Sequence, residues 1–173
     1  YELKTPEGSK GLWYDLVLRQ NDFVGILNGM DYKEFDPTRD PLIYANFTKK
    51  EIDEGKKKNK DTFVKEYNLK KDVPLFSVVS RLTDQKGLTL INAMADFAVS
   101  SGANFALVGS GEKWAEDYYN NLQRKYPENV MVFIGYNNEI AHKVYAASDF
   151  FLMPSAFEPC GLGQMIAQRY GTL

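Results

Sequence analysis

Two cations, Arg81 and Lys86, stand five residues apart in the run Ser80-Arg81-Leu82-Thr83-Asp84-Gln85-Lys86-Gly87, directly behind an apolar, β-branched stretch. Arginine offers a planar fork of donors and lysine a mobile point charge, so the pair can clamp a diphosphate. If a diphosphate leaves during a reaction, such cations stabilise the charge that builds on it. Spacing alone fits two ordinary surface residues equally well.

A second run, Pro154-Ser155-Ala156-Phe157-Glu158-Pro159-Cys160-Gly161-Leu162-Gly163-Gln164, lies between an apolar segment and a helical pattern. Gly161 and Gly163 let backbone approach a ligand closely. A helix starting there presents free N–H groups and a positive dipole end, suited to phosphate or to developing negative charge. Glu158 could accept hydrogen bonds from sugar hydroxyls, or merely complement the dipole. Cys160 beside a helix start could have a lowered pKa, but with no second cysteine and one histidine in the chain a buried structural thiol is favoured over a nucleophile.

The remaining candidates carry less. Gly109-Ser110-Gly111 lacks a third glycine at dinucleotide spacing, since position 114 is Trp, and reads as a tight turn. Tyr136 could stack on a base. His142 sits among apolar neighbours in a short helical stretch and reads as a packed or hydrogen-bonded structural residue. Lys56-Lys57-Lys58-Asn59-Lys60 reads as a solvated helix face or a helix break rather than a phosphate patch. No His, Asp and Ser arrangement suggests a hydrolytic triad.

These residues need elements to position them. Leu12–Gln20 has the spacing of a short helix, Phe23–Leu27 that of a short strand, and Asn28-Gly29 is a turn signal. Residues 31–47 form a traversing loop. Residues 48–69 are helical, with Thr48 as N-cap and Glu51 as its capping-box partner; Ile52, Phe63, Val64 and Tyr67 form a narrow apolar stripe, which Gly55 weakens in its first half. From Pro74 the pattern is regular: strands at Leu75–Ser80, Asn104–Val108, Val130–Ile134 and Phe150–Met153, alternating with helices at Leu88–Ser100, Lys113–Lys125, Glu139–Ser148 and Leu162–Tyr170. Such alternation implies parallel βαβ units in an α/β fold with helices on both faces of the sheet. Ligands then bind beyond the carboxyl ends of the strands, where Arg81, Gly109–Gly111, Gly135-Tyr136 and Pro154-Ser155 fall. At Gly171-Thr172-Leu173 a further strand begins, as in a truncated domain.

Composition narrows the function classes. With 173 residues and 44% hydrophobic content, the chain can build one domain with a sizeable core plus an appended segment. A net charge of -2, from 21 basic and 23 acidic residues, gives no overall attraction to nucleic acid or anionic membrane. One cysteine excludes an intramolecular disulfide, and one histidine excludes a zinc site built from several Cys and His residues. No apolar run approaches a membrane span, and the first residues do not resemble a signal peptide.

The two runs, followed by Arg169-Tyr170-Gly171-Thr172-Leu173, strongly resemble bacterial glycogen synthases and plant starch synthases. Gly25-Ile26-Leu27-Asn28-Gly29-Met30-Asp31, then Phe35-Asp36-Pro37 and Asp40, resembles that family's entry into its C-terminal domain, and Thr5-Pro6-Glu7 the preceding stretch. The resemblance covers nearly the whole chain in the family's order. It implies the C-terminal half of a two-domain GT-B glycosyltransferase with Rossmann-like halves. Residues 1–30 would be the tail of the N-terminal domain and the interdomain crossover, and residues 31–173 a partial sugar-nucleotide-binding domain.

The activity implied is transfer of glucose from ADP-glucose to the non-reducing end of an α-1,4-glucan, with retained anomeric configuration and no metal or other cofactor. Matching positions give Arg81, Lys86 and Glu158 as catalytic residues, the cations on the donor phosphates and Glu158 on the donor glucose. Asn28, Tyr136, Cys160, Gly161, Leu162 and Gly163 would line the donor site, with Tyr136 beside the adenine. The glucan would bind mostly through the N-terminal domain, and the chain alone would show little or no synthase activity. Neither nucleic acid nor membrane is implied as a partner, and the compartment implied is bacterial cytoplasm, or a plastid. Related retaining transferases place a second Glu eight residues after the first, where this chain has Ile166; position 163 is Gly where some members have Thr. The alternatives are a non-catalytic sugar-nucleotide or glucan-binding module, and a sucrose- or trehalose-synthase type of transferase.

Overall fold

The computed structural model describes residues 4–173; the first three residues of the stretch assigned to 1–30 lie outside the described residues. Four strands, β1 (Leu75–Val79), β2 (Asn104–Gly109), β3 (Val130–Ile134) and β4 (Phe150–Phe151), form one sheet in the order β3-β2-β1-β4. All neighbouring pairs are parallel, with Leu75 opposite Asn104, Phe105 opposite Val130 and Phe76 opposite Phe150. Helices α1 (Trp13–Leu18) and α2 (Ile52–Glu66) precede the sheet; α3 (Leu88–Ser100), α4 (Lys113–Lys125) and α5 (Asn138–Ala147) connect its strands, and α6 (Leu162–Arg169) follows β4.

The two-residue period of a strand sends alternate side chains to opposite faces. Val78, Phe105, Leu107 and Val130 pack with Leu88, Ile91 and Ala95 of α3 and Ala115 and Tyr119 of α4. Leu75, Ala106, Val108 and Met131 pack on the other face with Phe63 and Val64 of α2 and Val144 and Ala147 of α5. Because both faces are covered, β2 is buried at every position. The chain moves outward from β1 through β2 to β3, then α5 carries it back across the sheet to β4 on the far side of β1. This reversal creates a switch point between β1 and β2 on one side and β4 on the other, the place where open α/β sheets hold ligands.

Several sequence expectations need correction. No strand forms at Phe23–Leu27 and no turn at Asn28-Gly29; residues 24–31 have no regular secondary structure. Val24 is 78% exposed and Ile26 91% exposed, so the run has the composition of a strand without a neighbouring ladder to satisfy its backbone. The expected strand Phe150–Met153 shortens to Phe150–Phe151, though the Leu152 N–H still reaches Ser77 O at 2.8 Å. On its other edge the Leu173 N–H donates to Asp149 O at 3.0 Å and the Phe151 N–H to Leu173 O at 2.6 Å, so the chain's last residue pairs beside β4.

The lysine run is not a uniformly solvated face. Lys57 and Lys58 are exposed, but Lys56 turns inward and donates to Ser148 O at 2.6 Å, Tyr145 O at 3.4 Å and Thr172 Oγ1 at 2.6 Å. It thereby satisfies carbonyls at the C-terminal end of α5, where a cation also complements the helix dipole. Burial pulls its ammonium down to about 7, opposed by the Asp149 carboxylate and reinforced by repulsion from Lys60. Asn59 is buried and uses both ends of its amide, accepting from the Tyr44 and Ala45 N–H groups and donating to Ala45 O and Gly55 O. The helical period separates these roles; residue type alone did not.

Gly55 is likewise more than a weak point in α2. A Cβ built there would lie 2.2 Å from Phe47 Cβ, so the ring of the preceding loop occupies the space a side chain would need. Alanine should favour the helix by about 1 kcal/mol, but steric conflict with Phe47 outweighs it. Gly55→Ala is expected to destabilise the chain by about 1–3 kcal/mol net, read as a lowered urea midpoint; a midpoint at or above that of the parent chain refutes the packing argument.

Candidate functional site

The carboxyl ends of the four strands open into two adjoining lobes of about 330 and 340 Å³. Both are bounded by Val79, Ser80, Arg81, Leu162 and Gly163, so they form one continuous cleft. The first lobe is lined by Asn28, Lys86, Ser155, Glu158, Cys160 and Gly161. The second is lined by Phe35, Gly109, Ser110, Tyr136, Asn138 and His142. All nine residues singled out from the sequence therefore face this cleft: eight in the first lobe and Tyr136 in the second.

The cationic loop follows β1. Its Leu82 is buried and locked to the neighbouring loop: the Leu82 N–H donates to Ser110 O and the Glu112 N–H to Leu82 O, both at 2.8 Å. A short 3-10 turn, Asp84–Lys86, then lifts Gln85 and Lys86 toward the cleft. It ends at Gly87, whose φ of +73° is the left-handed conformation glycine tolerates best. A Cβ at Gly87 would sit 2.2 Å from Pro154 O. The same residue thus reverses the chain into α3 and lets the β1 loop press against the backbone leaving β4.

That contact places Lys86 against Glu158. Their side chains are 16% and 19% exposed, and the Lys86 ammonium donates to Glu158 Oε1 over a very short distance. Ser155 Oγ donates to the same oxygen at 2.7 Å. Burial raises the Glu158 pKa, but the hydrogen bonds from Lys86 and Ser155 and the positive charges of Lys86 and Arg81 outweigh it, leaving the carboxyl below its ordinary value. Arg81 is exposed and one Nη2 donor reaches Gln85 Oε1 at 3.3 Å, leaving further guanidinium donors for a ligand. The helix-start reading of Glu158 as a simple dipole complement is therefore incomplete, because its carboxylate is tied to the loop of another strand.

Cys160 is half-buried rather than fully enclosed. Its Sγ accepts the Asn28 N–H at 2.9 Å, and the thiol lies 3.7 Å from Asn28 O, which brings the extended segment before residue 31 to the cleft mouth. Gly161 precedes α6, and the first N–H groups of that helix have no intrahelical acceptors. Tyr136 is 78% exposed, with its hydroxyl donating to Asn138 Oδ1 at 2.9 Å, so a ring face is presented in the second lobe. Asn137 caps α5 behind it, accepting the Ile140 N–H at 3.0 Å.

Sequence reasoning placed His142 in the core but missed its partners. Its ring is buried, lies 2.7 Å from Asp40 Oδ2 through Nδ1 and stacks on Phe35 at 4.8 Å between centroids. Tyr170 also donates its hydroxyl to Asp40 Oδ2. Burial and the Asp40 carboxylate push the Tyr170 phenol far above its ordinary range. Asp40, more than a hundred positions from both His142 and Tyr170, thus fixes the 31–47 loop to α5 and the end of α6; no local period marks such a cluster. Among the described residues no group of three or more His, Cys, Asp or Glu side chains is placed to hold a metal ion, and no helix is long and apolar enough to cross a membrane.

Comparison with known proteins agrees with this architecture. Residues 59–173 match the family model for glycosyl transferases group 1. Over 99% of the chain, identity is 44% to a glycogen synthase of Pseudothermotoga lettingae and 43% to glycogen synthase 1 of Geobacter sulfurreducens, covering 36% and 34% of those proteins. The catalytic domain of starch synthase IV from Arabidopsis thaliana, solved with ADP and acarbose, superposes with a TM-score of 0.92 at 36% identity, covering 99% of this chain and 36% of that one. The chain spans about a third of the length of the curated relatives it matches. It belongs to the group 1 glycosyl transferases, and its Rossmann-like parallel sheet is that of a GT-B fold.

The environment of Glu158 sets a pH expectation. Because its folded pKa lies below the ordinary 4.5, the interaction stabilises the fold above that value and is lost as pH falls through the lower folded pKa. A carboxyl-carbon NMR titration should give a Glu158 midpoint below 4.5, and Lys86→Met should raise it. An unmoved midpoint would show that the ammonium does not hold the carboxylate.

Proposed function

We propose that this group 1 glycosyl transferase chain is the donor-binding half of a retaining glucosyltransferase, moving glucose from ADP-glucose to the non-reducing end of an α-1,4-glucan. The observation that carries the reading is the cleft itself, which gathers Arg81, Lys86, Glu158 and the start of α6 in one lobe and Tyr136 in the adjoining lobe. Its dimensions and polarity suit a nucleoside diphosphate sugar lying across the switch point. The similar proteins support the substrate class: they are glycogen synthases, and a starch synthase bound to ADP and acarbose.

In this reading the adenine stacks on Tyr136, and the diphosphate lies over Arg81, Lys86 and the first N–H groups of α6. As the glycosidic bond to phosphate breaks, negative charge builds on the departing ADP, and the two cations stabilise it more strongly than they stabilise the intact donor. Glu158 accepts hydrogen bonds from the glucose hydroxyls, and the backbone around Gly161, Leu162 and Gly163 closes on the sugar. Cys160 and Asn28 keep the cleft mouth in place. Residues 1–30 form the end of a preceding domain and the crossover, and the exposed apolar side chains of Val24, Ile26 and Leu27 are surface that a second domain would cover. The glucan acceptor binds mostly to that second domain, and the reaction takes place in bacterial cytoplasm.

Calorimetric titration of the chain with ADP and ADP-glucose tests the donor site. Both should bind, and Lys86→Ala should weaken ADP by about 10–100-fold, the loss corresponding to one charge-assisted hydrogen bond to phosphate of about 1.5–3 kcal/mol. Absence of ADP binding at millimolar concentration, or an unchanged affinity in Lys86→Ala, overturns the assignment.

A further inference from the structure

Between the phosphate cations and the sugar-side carboxylate sits a side chain that neither the family resemblance nor the reading above assigns. Gln85 occupies the middle of the 3-10 turn Asp84–Lys86 and touches both loops of the first lobe. Its Oε1 accepts from Arg81 Nη2 at 3.3 Å, and its Nε2 donates to Phe157 O at 3.2 Å. Its own carbonyl accepts the Ala156 N–H at 2.9 Å. Phe157 and Ala156 are the two residues before Glu158.

We infer that Gln85 is a positioning residue that sets the placement of Glu158 relative to Arg81, coupling the sugar end of the donor site to its phosphate end. The inference rests on the donor-site reading above and deepens it.

The residue type fits the task. A side-chain amide carries an acceptor and a donor in one rigid plane. A guanidinium on one side demands the acceptor; a backbone carbonyl on the other demands the donor. Rotating the amide by half a turn would face donor to donor and acceptor to acceptor, so the surroundings fix its orientation. Glutamate could satisfy Arg81 but not Phe157 O, and lysine could satisfy Phe157 O but not Arg81. The backbone bond from Ala156 adds a contact that no side-chain substitution removes, so the two loops stay joined while their fine register changes. Small displacements matter here, because binding at the reacting end of a substrate depends on sub-ångström placement.

The test compares two ligands that differ only at the sugar. The parent chain, Gln85→Ala and Gln85→Glu are titrated calorimetrically with ADP and with ADP-glucose. Gln85→Ala should leave ADP affinity within about threefold, since Arg81, Lys86 and the α6 start are intact, while weakening ADP-glucose about tenfold. Gln85→Glu should weaken both, because a carboxylate now faces Phe157 O and also lies beside the phosphates. A purely structural role would change the folded fraction and so shift both ligands together in Gln85→Ala; equal shifts, or none, overturn the inference.

A ligand-free arm separates this failure from failure of the donor-site reading. In Gln85→Ala the Glu158 carboxyl titration followed by NMR should move up toward 4.5 as the loop loosens from Lys86. If the parent chain binds neither ligand, the donor-site reading falls and this titration alone decides: an upward shift supports coupling between the loops, and an unchanged midpoint overturns it.

Discussion

The contact between Lys86 and Glu158 is the interaction on which the site's geometry depends. It joins the loop leaving β1 to the loop leaving β4, strands that are neighbours in the sheet but are separated in sequence by two strands and three helices. Removing either partner would leave a charge about four-fifths buried without its counterion, a state costly enough to force rearrangement. The arrangement is possible only because Gly87 has no side chain to collide with Pro154 O and because Leu82 is pinned under the β2 loop. The ion pair, the glycine and the buried leucine are therefore one structural decision taken at four positions.

A second layer of polar contacts holds the sheet's outer surroundings in register. Asp40 receives both Tyr170 and His142, and Lys56 binds the end of α5 together with Thr172. Each cluster joins the long loop or helix before β1 to the elements after β3. Buried polar groups are tolerated because nearly all find partners; among the described side-chain atoms only Thr83 Oγ1, Asn104 Oδ1 and His142 Nε2 are buried without one. Nε2 of His142 lies 4.0 Å from Glu34 Oε1, too far for a direct hydrogen bond. These clusters stabilise the loop that forms one wall of the second lobe, through Phe35, without entering the proposed chemistry themselves.

How far the sequence revealed this depended on the range of the interaction concerned. Helices α3 and α4 matched their expected bounds, and β3 did too, because their apolar spacing and bounding glycines are local signals. Arg81, Lys86 and Glu158 were visible as candidates because each lies next to a strand end, where parallel sheets place ligands. The strand expected at Phe23–Leu27 failed for the opposite reason: a strand is a pairing, and composition cannot supply the neighbour. Lys56 and Lys57 are adjacent and identical in type, yet one is nearly enclosed and the other solvated, since only the tertiary fold says which side of α2 meets α5. Gly55 looked like a defect until Phe47, a residue from the preceding loop, was seen to need its space.

The Lys86–Glu158 contact also bears on how a donor could be accepted. A carboxylate facing a diphosphate sugar would repel it, and in a partly desolvated cleft that repulsion is strong. Here the carboxylate is already hydrogen-bonded by Lys86 and Ser155, with Arg81 close enough to lower its pKa further. The carboxylate is thus offset by Lys86, and Arg81 leaves the three groups net positive before a ligand arrives. An ammonium has three donors, so Lys86 can keep one on Glu158 while turning others to phosphate oxygens. The arriving phosphate need not break the pair; it adds a second anion to a cation whose position the first anion has fixed. A side chain pre-ordered in this way loses little rotamer freedom on binding, and that is the advantage of holding the cation with the group proposed to contact the sugar.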